Sequence, residues 1–390
     1  MKITTDRKLM LVLSTALILF TVSGAMIGRV VAVEGTYSYL KLFNEALYLI
    51  VHNYVQPVQI DVLMEGAYRG MLESLDPANE YLAPARYERA YKGESDGPAG
   101  VGASLSKRRG YIIVVSVAPG SPAAEGGLQT GDVLVTIDGR STRQLGVWEA
   151  TQALSGKPGS KTTINLSPVD SAGRKTVTLV RKVLAPPAPS GSVEPGAIGI
   201  VRISGLREGD ARRVDQAIAS LKRRGATRLL VDLRGCTSDA LAEAIGTASL
   251  FVREGRIVSV TDRYEGDKSF RADGRRQAWD NPVAVLVDPG TAGVCEVLAA
   301  ALRDDRDAPI LGQRTWGEGA VRKLLPLQHG DGVLLATGKY LSPAGKEWHG
   351  QGLQPDVPID GRLTDSGDPQ QKKAVDYLRG QALSTERKAA

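Results

Sequence analysis

The stretch 283–326 constrains the fold of this chain most strongly. An apolar strand, residues 283–287, runs through Pro289-Gly290 into an Ala- and Leu-rich helix that begins between residues 291 and 295. The N-terminus of a helix directs unpaired backbone N–H groups and the positive end of its dipole towards whatever precedes it. That arrangement suits a nucleophile and a developing oxyanion, so the stretch favours acyl-transfer chemistry.

Strands and helices alternate on the N-terminal side of this stretch. The predicted strands are 198–203, 229–233 and 283–287, and the predicted helices between them are 212–223 and 241–251. This βαβ order predicts an α/β core with a mainly parallel sheet and with sites at the carboxyl ends of the strands. The whole chain is predicted to be an α+β multidomain protein that begins with helices.

Length and charge limit the functional classes. A chain of 390 residues is long enough for two or three domains. Lys and Arg exceed Asp and Glu by 49 − 43 = 6, and no run of five basic residues occurs, which argues against a nucleic-acid partner. No metal-ligand spacing or phosphate-binding glycine loop occurs either, so we expect no metal and no cofactor.

The first 34 residues predict export. Lys2, Arg7 and Lys8 precede an uncharged apolar stretch, residues 9–27, which is about long enough to span the hydrocarbon core of a bilayer. We favour an uncleaved membrane anchor, and the alternative is a signal peptide cleaved near Ser23-Gly24-Ala25. The basic residues before the stretch place the rest of the chain on the extracytoplasmic, periplasmic side.

Residues 35–96 form a predicted helical region, followed by a domain at 97–182. Apolar spacing predicts helices at 37–54 and 63–75, with Asp61 as the N-cap of the second. The next segment contains, in order, Gly100-Val101-Gly102-Ala103, a strand at 111–117, Pro119-Gly120, Gly131-Asp132 and a helix at 147–154. This ordered set resembles a PDZ domain.

A PDZ domain implies peptide binding at Gly100, Val101, Gly102 and Ala103. Successive backbone N–H groups of such a loop bind a terminal carboxylate, and the next strand accepts the peptide as an added strand. A Pro-rich linker is predicted at 183–197, the α/β core at 198–361 and a helical tail at 362–390.

The stretch 290–322 resembles the active-site segment of the carboxyl-terminal processing (tail-specific) serine proteases. That family has G-S-A-S-A-S-E at the turn and G-x-x-T-F-G-K-G-x-V-Q after the helix. Here the two motifs are Gly290-Thr291-Ala292-Gly293-Val294-Cys295-Glu296 and Gly312-Gln313-Arg314-Thr315-Trp316-Gly317-Glu318-Gly319-Ala320-Val321-Arg322. The resemblance, which extends over about residues 40–360, implies a protease-like core.

The family's catalytic side chains are all replaced in this chain. The resemblance assigns the nucleophilic Ser to Gly293, the general-base Lys to Glu318 and the Gln that orients the Lys to Arg322. Glycine offers no nucleophile, and a Glu paired with a permanently charged Arg does not reproduce a Lys of lowered pKa. We therefore expect a pseudoprotease with no intact catalytic residue.

A second element of the family's machinery also differs. The family continues the strand 229–233 with N-x-x-G-G, whose backbone helps to form the oxyanion hole, but this chain has Ser238-Asp239 near the Gly-Gly pair. The family fold brings this loop to the helix start at 291–295. By that analogy Cys236 and Cys295 are candidates for a disulfide, and the alternative is two buried thiols.

Three functional hypotheses follow. The first is a non-catalytic homologue that binds C-terminal tails of extracytoplasmic proteins, or an active homologous protease. The second is an active peptidase with a displaced nucleophile, Cys295 or Thr291, although Lys323 lies on the wrong strand face to replace the base. The third is a structural scaffold, with the terminal helices as possible homodimer contacts. His349 is predicted to be a structural turn residue.

Overall fold

The computed structural model describes residues 37–185, 187–361 and 367–389, with the backbone alone for 381–389. The predicted anchor at 9–27 lies outside these residues. The chain divides into two units, 1–67 and 68–390. No helix within the described ranges combines the length and the apolar character needed to cross a membrane.

The described part of the first unit is helical. Helix α1 covers residues 37–53, and helix α2, Ile60–Leu75, begins in this unit and continues into the second. Apolar side chains at helical spacing form both helices, and many of them, including Tyr39, Leu42 and Tyr48, are exposed. Asp61 lies inside the first turn of α2, so the N-cap prediction for this residue is wrong by one or two positions.

The second unit begins with the rest of α2, a short strand β1 (Glu80–Leu82) and helix α3 (Pro84–Tyr91). The PDZ domain follows. Its elements are β2 (Ala103–Arg108), β3 (Tyr111–Val117), α4 (Pro122–Glu125), β4 (Val133–Ile137), β5 (Arg140–Ser141), a 3₁₀ turn (Thr142–Gln144), α5 (Val147–Leu154), β6 (Lys161–Ser167) and β7 (Lys175–Val180).

The PDZ sheet is antiparallel, in the order β2-β3-β4-β6-β7, with β5 beside β4. Alternate apolar residues of its central strands, such as Ile112, Val114 and Leu134, are fully buried, because side chains of a strand alternate between the two faces. Strand β2 is therefore an edge strand, and its free backbone groups are available to a further strand.

The protease-like core follows Lys182. Its elements are β8 (Ser190–Glu194), β9 (Ile198–Arg202), α6 (Asp210–Arg223), β10 (Arg228–Asp232), β11 (Thr237–Ser238), α7 (Leu241–Ala248), β12 (Arg256–Asp262), β13 (Lys268–Arg271), a 3₁₀ turn (Gly274–Arg276), β14 (Val283–Val287), β15 (Ala292–Gly293), α8 (Val294–Arg306), β16 (Ile310–Gly312), β17 (Ala320–Pro326), β18 (Gly332–Leu341), β19 (Val357–Pro358) and α9 (Pro369–Ala389).

One core sheet has the order β19-β16-β14-β10-β9-β8 and is parallel except for the β8–β9 pair. Its central strands, β10 and β14, are buried on both faces. Val231 and Val285 pack with α6, α7 and α8 on one face, whereas Leu230 and Leu286 pack with α9 on the other. The α/β prediction is confirmed for this sheet.

A second core sheet was not predicted. It has the order β1-β18-β12-β13, with β17 beside β18, and all its pairs are antiparallel. The prediction of a single, mainly parallel sheet therefore describes only half of the core. The predicted linker at 183–197 also needs correction, because its residues Ser190–Glu194 form β8 and pair with β9.

Candidate functional site

A cavity of about 340 Å³ lies between the PDZ domain and the core. We call it the interdomain cleft. Its PDZ wall contains Ser104, Leu105 and Ser106 of β2, and its core wall contains residues 237–239, Ala292, Gly293, Trp316, Glu318 and Arg322. The three positions that the family resemblance assigns to catalysis therefore lie together in one cavity, at the carboxyl ends of β10 and β14.

Gly293 is the N-cap of α8 and has a backbone that favours glycine. Its φ of 67° lies in the left-handed region. A Cβ atom at this position would lie 2.3 Å from the carbonyl oxygen of Ser238, and the N–H of Gly293 donates to Glu296 Oε2 at 3.1 Å. A serine does not fit this position in the observed arrangement.

Glu296 organises the backbone around Gly293. Its carboxyl group is fully buried and accepts hydrogen bonds from the N–H groups of Gly317 (2.8 Å) and Glu318 (2.7 Å) and from the Thr315 hydroxyl. Burial raises the pKa of Glu296 to about 7, against the lowering effect of these hydrogen bonds. This role was not predicted, although a Glu three residues after a cap is a capping-box signal.

Glu318 and Arg322 form an ion pair on the wall of the cleft. Arg322 also lies 3.3 Å from Asp76 Oδ1, and Asp76 Oδ2 lies 2.9 Å from His349 Nε2. Burial alone lowers the pKa of Arg322, but the carboxylates of Glu318 and Asp76 outweigh it and raise the pKa. The Glu318 and Arg322 side chains are therefore both engaged in ion pairs on the cleft wall.

The Asp76–His349 contact connects the lead-in segment to the core. Burial alone raises the pKa of the Asp76 carboxyl, but the hydrogen bond with His349 and the charge of Arg322 together hold that pKa well below its usual range. His349 thus holds a structural position, and its ring contacts the carboxylate rather than a nucleophile. No partner was predicted for Asp76.

The loop to which the resemblance assigns part of the oxyanion hole follows β10 and is held by hydrogen bonds. Thr237 and Ser238 of β11 pair in parallel with Ala292 and Gly293 of β15. The Ser238 hydroxyl donates to the carbonyl of Leu206 at 2.6 Å, and the exposed Asp239 lines the cleft. A carboxylate at this edge repels a developing oxyanion, so the loop does not favour acyl transfer.

Cys236 and Cys295 form a disulfide next to this strand pair, at a sequence separation of 59. Both residues are fully buried. The bond links the β11 loop to the first turn of α8, and the N–H of Ala292 donates to the carbonyl of Cys236 at 2.8 Å. The cross-link thus holds the two segments that would surround an oxyanion.

Thr291, the other candidate nucleophile, is also buried and engaged. Its hydroxyl donates to the carbonyl of Leu233 at 2.8 Å and lies 3.2 Å from Asp288 Oδ1. Lys323, which the sequence analysis excluded as a base, has its Nζ atom 3.0 Å from Asp262 Oδ2, in a separate ion pair.

The PDZ domain contacts the core at several polar points. The Thr237 hydroxyl lies 2.9 Å from Ser104 Oγ and 3.2 Å from Ser116 Oγ. Arg108 at the end of β2 stacks 3.9 Å from the ring centroid of Trp316 and donates to its carbonyl. Such cation–π and hydroxyl contacts position the β2 edge beside Gly293.

A further contact comes from β1. The carboxyl group of Glu80 accepts hydrogen bonds from the N–H groups of Trp148 (2.9 Å) and Glu149 (3.3 Å) at the N-terminus of α5. Burial raises the pKa of Glu80 to about 7. Because β1 pairs with β18 of the core, Glu80 joins the core to a helix of the PDZ domain, a role that the sequence did not indicate.

The predicted carboxylate loop, residues 100–103, differs in how its carbonyl and N–H groups are bonded. The carbonyl groups of Val101 and Gly102 accept from Ala123 and Ala118, both at 2.8 Å, whereas the N–H groups of Val101 and Gly102 have no acceptor among the described residues. A Cβ atom on Gly102 would lie 2.3 Å from that of Ser121, so glycine is needed here. Two N–H donors at the start of an edge strand suit a terminal carboxylate.

Metal ligands are not grouped in the described ranges, where no three His, Cys, Asp or Glu residues are arranged to hold a metal ion.

Comparisons with known proteins agree with this geometry. The family described as Peptidase family S41 matches residues 197–359, and a PDZ domain family matches residues 113–166. The chain is 30% identical over 348 residues to a carboxy-terminal processing protease of Bacillus subtilis, covering 89% of this chain and 74% of that protein.

Two further relatives and one solved structure are also similar to this chain. A chloroplastic C-terminal processing peptidase of Tetradesmus obliquus is 30% identical, with 75% of this chain and 67% of that protein covered. A carboxyl-terminal-processing protease of Synechocystis is 29% identical, with 80% and 76% covered. The solved photosystem II D1 C-terminal processing protease superimposes with a TM-score of 0.71 at 28% identity, covering 83% of this chain and 87% of that chain.

Proposed function

The chain belongs to the carboxyl-terminal processing protease family, and from that premise we propose that it binds C-terminal tails of other proteins without cleaving them. The observation that carries the proposal is the content of the interdomain cleft. Gly293, Glu318 and Arg322, to which the resemblance assigns the family's Ser, Lys and Gln, line this cleft together. A cleft with no nucleophile and no free base supports recognition rather than acyl transfer.

The backbone of the cleft supports the same proposal. In an acyl-transfer enzyme, N–H groups must be free to bind the oxyanion. Here the N–H of Gly293 donates to the Glu296 carboxylate. The β11 loop pairs with β15 and is cross-linked to α8 through Cys236. This loop also carries Asp239, which faces the cleft. Restoring a nucleophile alone would therefore not restore the site.

A displaced nucleophile has less support. Cys295 is part of the disulfide, and the Thr291 hydroxyl is buried and donates to Leu233. Neither side chain lines the interdomain cleft. A purely structural scaffold is also a weaker hypothesis, because the N–H groups of Val101 and Gly102 remain free of acceptors in the described chain.

Tail binding without cleavage gives the chain a regulatory role in extracytoplasmic proteolysis. By holding a tail, it would protect the tail from an active homologous protease or deliver the tail to one. The basic N-terminus followed by the apolar stretch 9–27 supports attachment to the cytoplasmic membrane with the PDZ domain outside. Exposed apolar residues of α1 are compatible with a homodimer.

Proteolysis and binding assays test the proposal together. The purified full-length chain, in detergent, is incubated with an unfolded protein that has an apolar C-terminus, with and without reductant, alongside an active serine-type relative. We expect no cleavage by this chain. Labelled peptides with a free C-terminal carboxylate should bind, and the same peptides with a C-terminal amide should not.

Two outcomes would contradict the proposal. Cleavage that disappears in a Cys295→Ala variant would identify a displaced nucleophile. Equal binding, or no binding, of acid and amide peptides would show that the loop at 100–103 does not recognise a terminal carboxylate and would leave the scaffold hypothesis.

A further inference from the structure

The interdomain cleft is continuous with the free edge of the PDZ sheet. A tail held by residues 100–103 and added to β2 as an antiparallel strand would extend towards Arg108. Its residues roughly two to four positions before the C-terminus would lie opposite Ser104, Leu105 and Ser106, because each strand residue advances about 3.3 Å. These three residues form the PDZ wall of the cleft.

The core wall opposite them carries an excess of negative charge. Asp239 is exposed and its carboxylate has no hydrogen-bond or ion-pair partner among the described residues. Glu318 is about a quarter exposed, at 24%. The cation that lines the cleft, Arg322, is already shared between Glu318 and Asp76. The nearby Arg108 stacks on Trp316 and donates to its carbonyl.

The remaining surface of the cleft is apolar. Ala78, Leu105, Val147 and Leu334 line it together with the carboxylates. Such a combination fits the side chain of a lysine or arginine, whose aliphatic stem packs on apolar surface while its charged end reaches a carboxylate. A side chain with a carboxylate would be repelled, and a short apolar side chain would leave Asp239 without a partner.

We propose that the interdomain cleft is a second recognition site for the bound tail and that it selects a lysine or arginine a few residues before the C-terminus. The proposal rests on tail binding by the PDZ domain and adds the chemical class of the tail. The substitutions that removed catalysis, Glu318 in place of a Lys and Asp239 in place of a Gly, supply the negative charge. The cleft thus contributes specificity in place of bond cleavage.

Peptide binding to the full-length chain tests this selection. The probes are ten-residue peptides with a free C-terminal carboxylate that are identical except for Lys or Gln at the second, third or fourth residue from the end. We expect one Lys peptide to bind about fivefold more tightly than its Gln counterpart at low salt, as a partly exposed ion pair allows. Raising the salt concentration should reduce this ratio, because exposed charges are screened.

Isosteric variants assign the effect to the cleft. In an Asp239→Asn/Glu318→Gln variant, the affinity for the Lys peptide should exceed that for the Gln peptide by less than about twofold. Asp239→Asn alone, at an exposed position, should give an intermediate affinity ratio. Glu94→Gln, which removes one exposed carboxylate outside the cleft, should retain the full ratio. Circular dichroism of each variant checks that it is folded.

The outcomes separate the two proposals. No Lys preference, or a preference that persists in Asp239→Asn/Glu318→Gln, would overturn the second recognition site while leaving tail binding intact, provided that amidation still abolishes binding. If acid and amide peptides bind equally, the PDZ proposal fails and this inference fails with it.

Discussion

Backbone N–H groups are prominent in two regions, the carboxylate loop of the PDZ domain and the N-terminus of α8 in the core. The two regions differ in whether those groups are free. At residues 100–103 the N–H groups of Val101 and Gly102 have no acceptor in the described chain. At Gly293 the N–H is bonded to Glu296, and the facing loop is paired and cross-linked. The PDZ loop thus has free N–H donors, whereas the N–H donor at the start of α8 is bonded within the chain.

In the proposed function, the protease scaffold is preserved and its chemistry is not. The buried packing of α8 against β14 does not depend on the nucleophile, since Leu298 and Ala299 are fully buried beside Val285. The hydrogen bond from Gly293 to Glu296 and the disulfide then hold the two facing segments in place. The comparison predicts that disturbing the core site costs stability, whereas disturbing the PDZ loop costs binding.

Removal of the disulfide should have the largest effect on stability. A Cys236→Ala/Cys295→Ala variant should lose about 4 kcal/mol of unfolding free energy, because the bond closes a loop with a sequence separation of 59 residues. Chemical denaturation of the oxidised protein, the reduced protein and the variant measures this loss. A variant as stable as the oxidised protein would contradict the expectation that disturbing the core site costs stability.

Gly293→Ser should have the next largest effect. The side chain meets the Ser238 carbonyl oxygen at 2.3 Å in a left-handed backbone, and we expect a loss of about 3 kcal/mol. Gly235→Ser is the matched control, because its φ of 68° is similar but its Cβ has open space. The control should lose only about 1 kcal/mol.

An activity assay extends the same test. A Gly293→Ser/Glu318→Lys/Arg322→Gln variant has the family's three catalytic residue types but keeps the β11 loop, the disulfide and Asp239. We expect no peptidase activity from it on an unfolded substrate. Measurable cleavage would mean that the loop adapts easily, so that loss of the three side chains alone explains the absence of catalysis.

The sequence was sufficient to predict the fold class, the PDZ domain and the cluster of Gly293, Glu318 and Arg322. Short-range patterns carry this information: the strand at 283–287 and the PDZ helix at 147–154 have the predicted bounds. The resemblance also brought Cys236 and Cys295 together. These features depend on residues close in sequence or on a fold that fixes their separation.

Contacts between distant segments were not predictable. The antiparallel sheet of β1, β12, β13, β17 and β18 combines segments more than 200 residues apart, and alternation within each strand does not specify its partner. Likewise, no local pattern indicates that Asp76 meets Arg322 and His349, or that Glu80 caps α5. Such charges appear in the sequence as ordinary surface residues.

Arg322→Gln should have a moderate effect that depends on pH. It leaves Glu318 and Asp76 without their shared cation, and we expect a loss of about 2 kcal/mol at neutral pH. Because the pKa of Asp76 is lowered in the folded protein, its stabilising contribution is present above the unfolded pKa and is lost as the pH falls. The Tm difference between wild type and variant should therefore shrink in acid.

The double variant Glu318→Gln/Arg322→Gln controls for the ion pair. Its loss of stability should be smaller than the sum of the losses in the two single variants, since each single variant leaves one charge of the pair without its partner and the double variant removes both charges. Additive losses would mean that the pair does not stabilise the cleft wall.

Glu80→Gln should have the smallest effect in acid, and it tests the contact between the PDZ domain and the core. Burial raises the pKa of Glu80 to about 7 from an ordinary value of 4.5, with smaller effects from its neighbours Glu149 and Lys107. The folded state therefore holds a proton that the unfolded state has released, so stability is full below pH 4.5 and falls as the pH rises to about 7.

The amide of Gln does not ionise but still accepts from Trp148 and Glu149. Wild type and variant should have the same Tm near pH 4, and the variant should gain relative Tm as the pH rises through 7. Parallel Tm curves at all pH values would show that Glu80 is not buried against α5, and the attachment of the PDZ domain to the core would then rest on other contacts, such as those of Thr237 and Arg108.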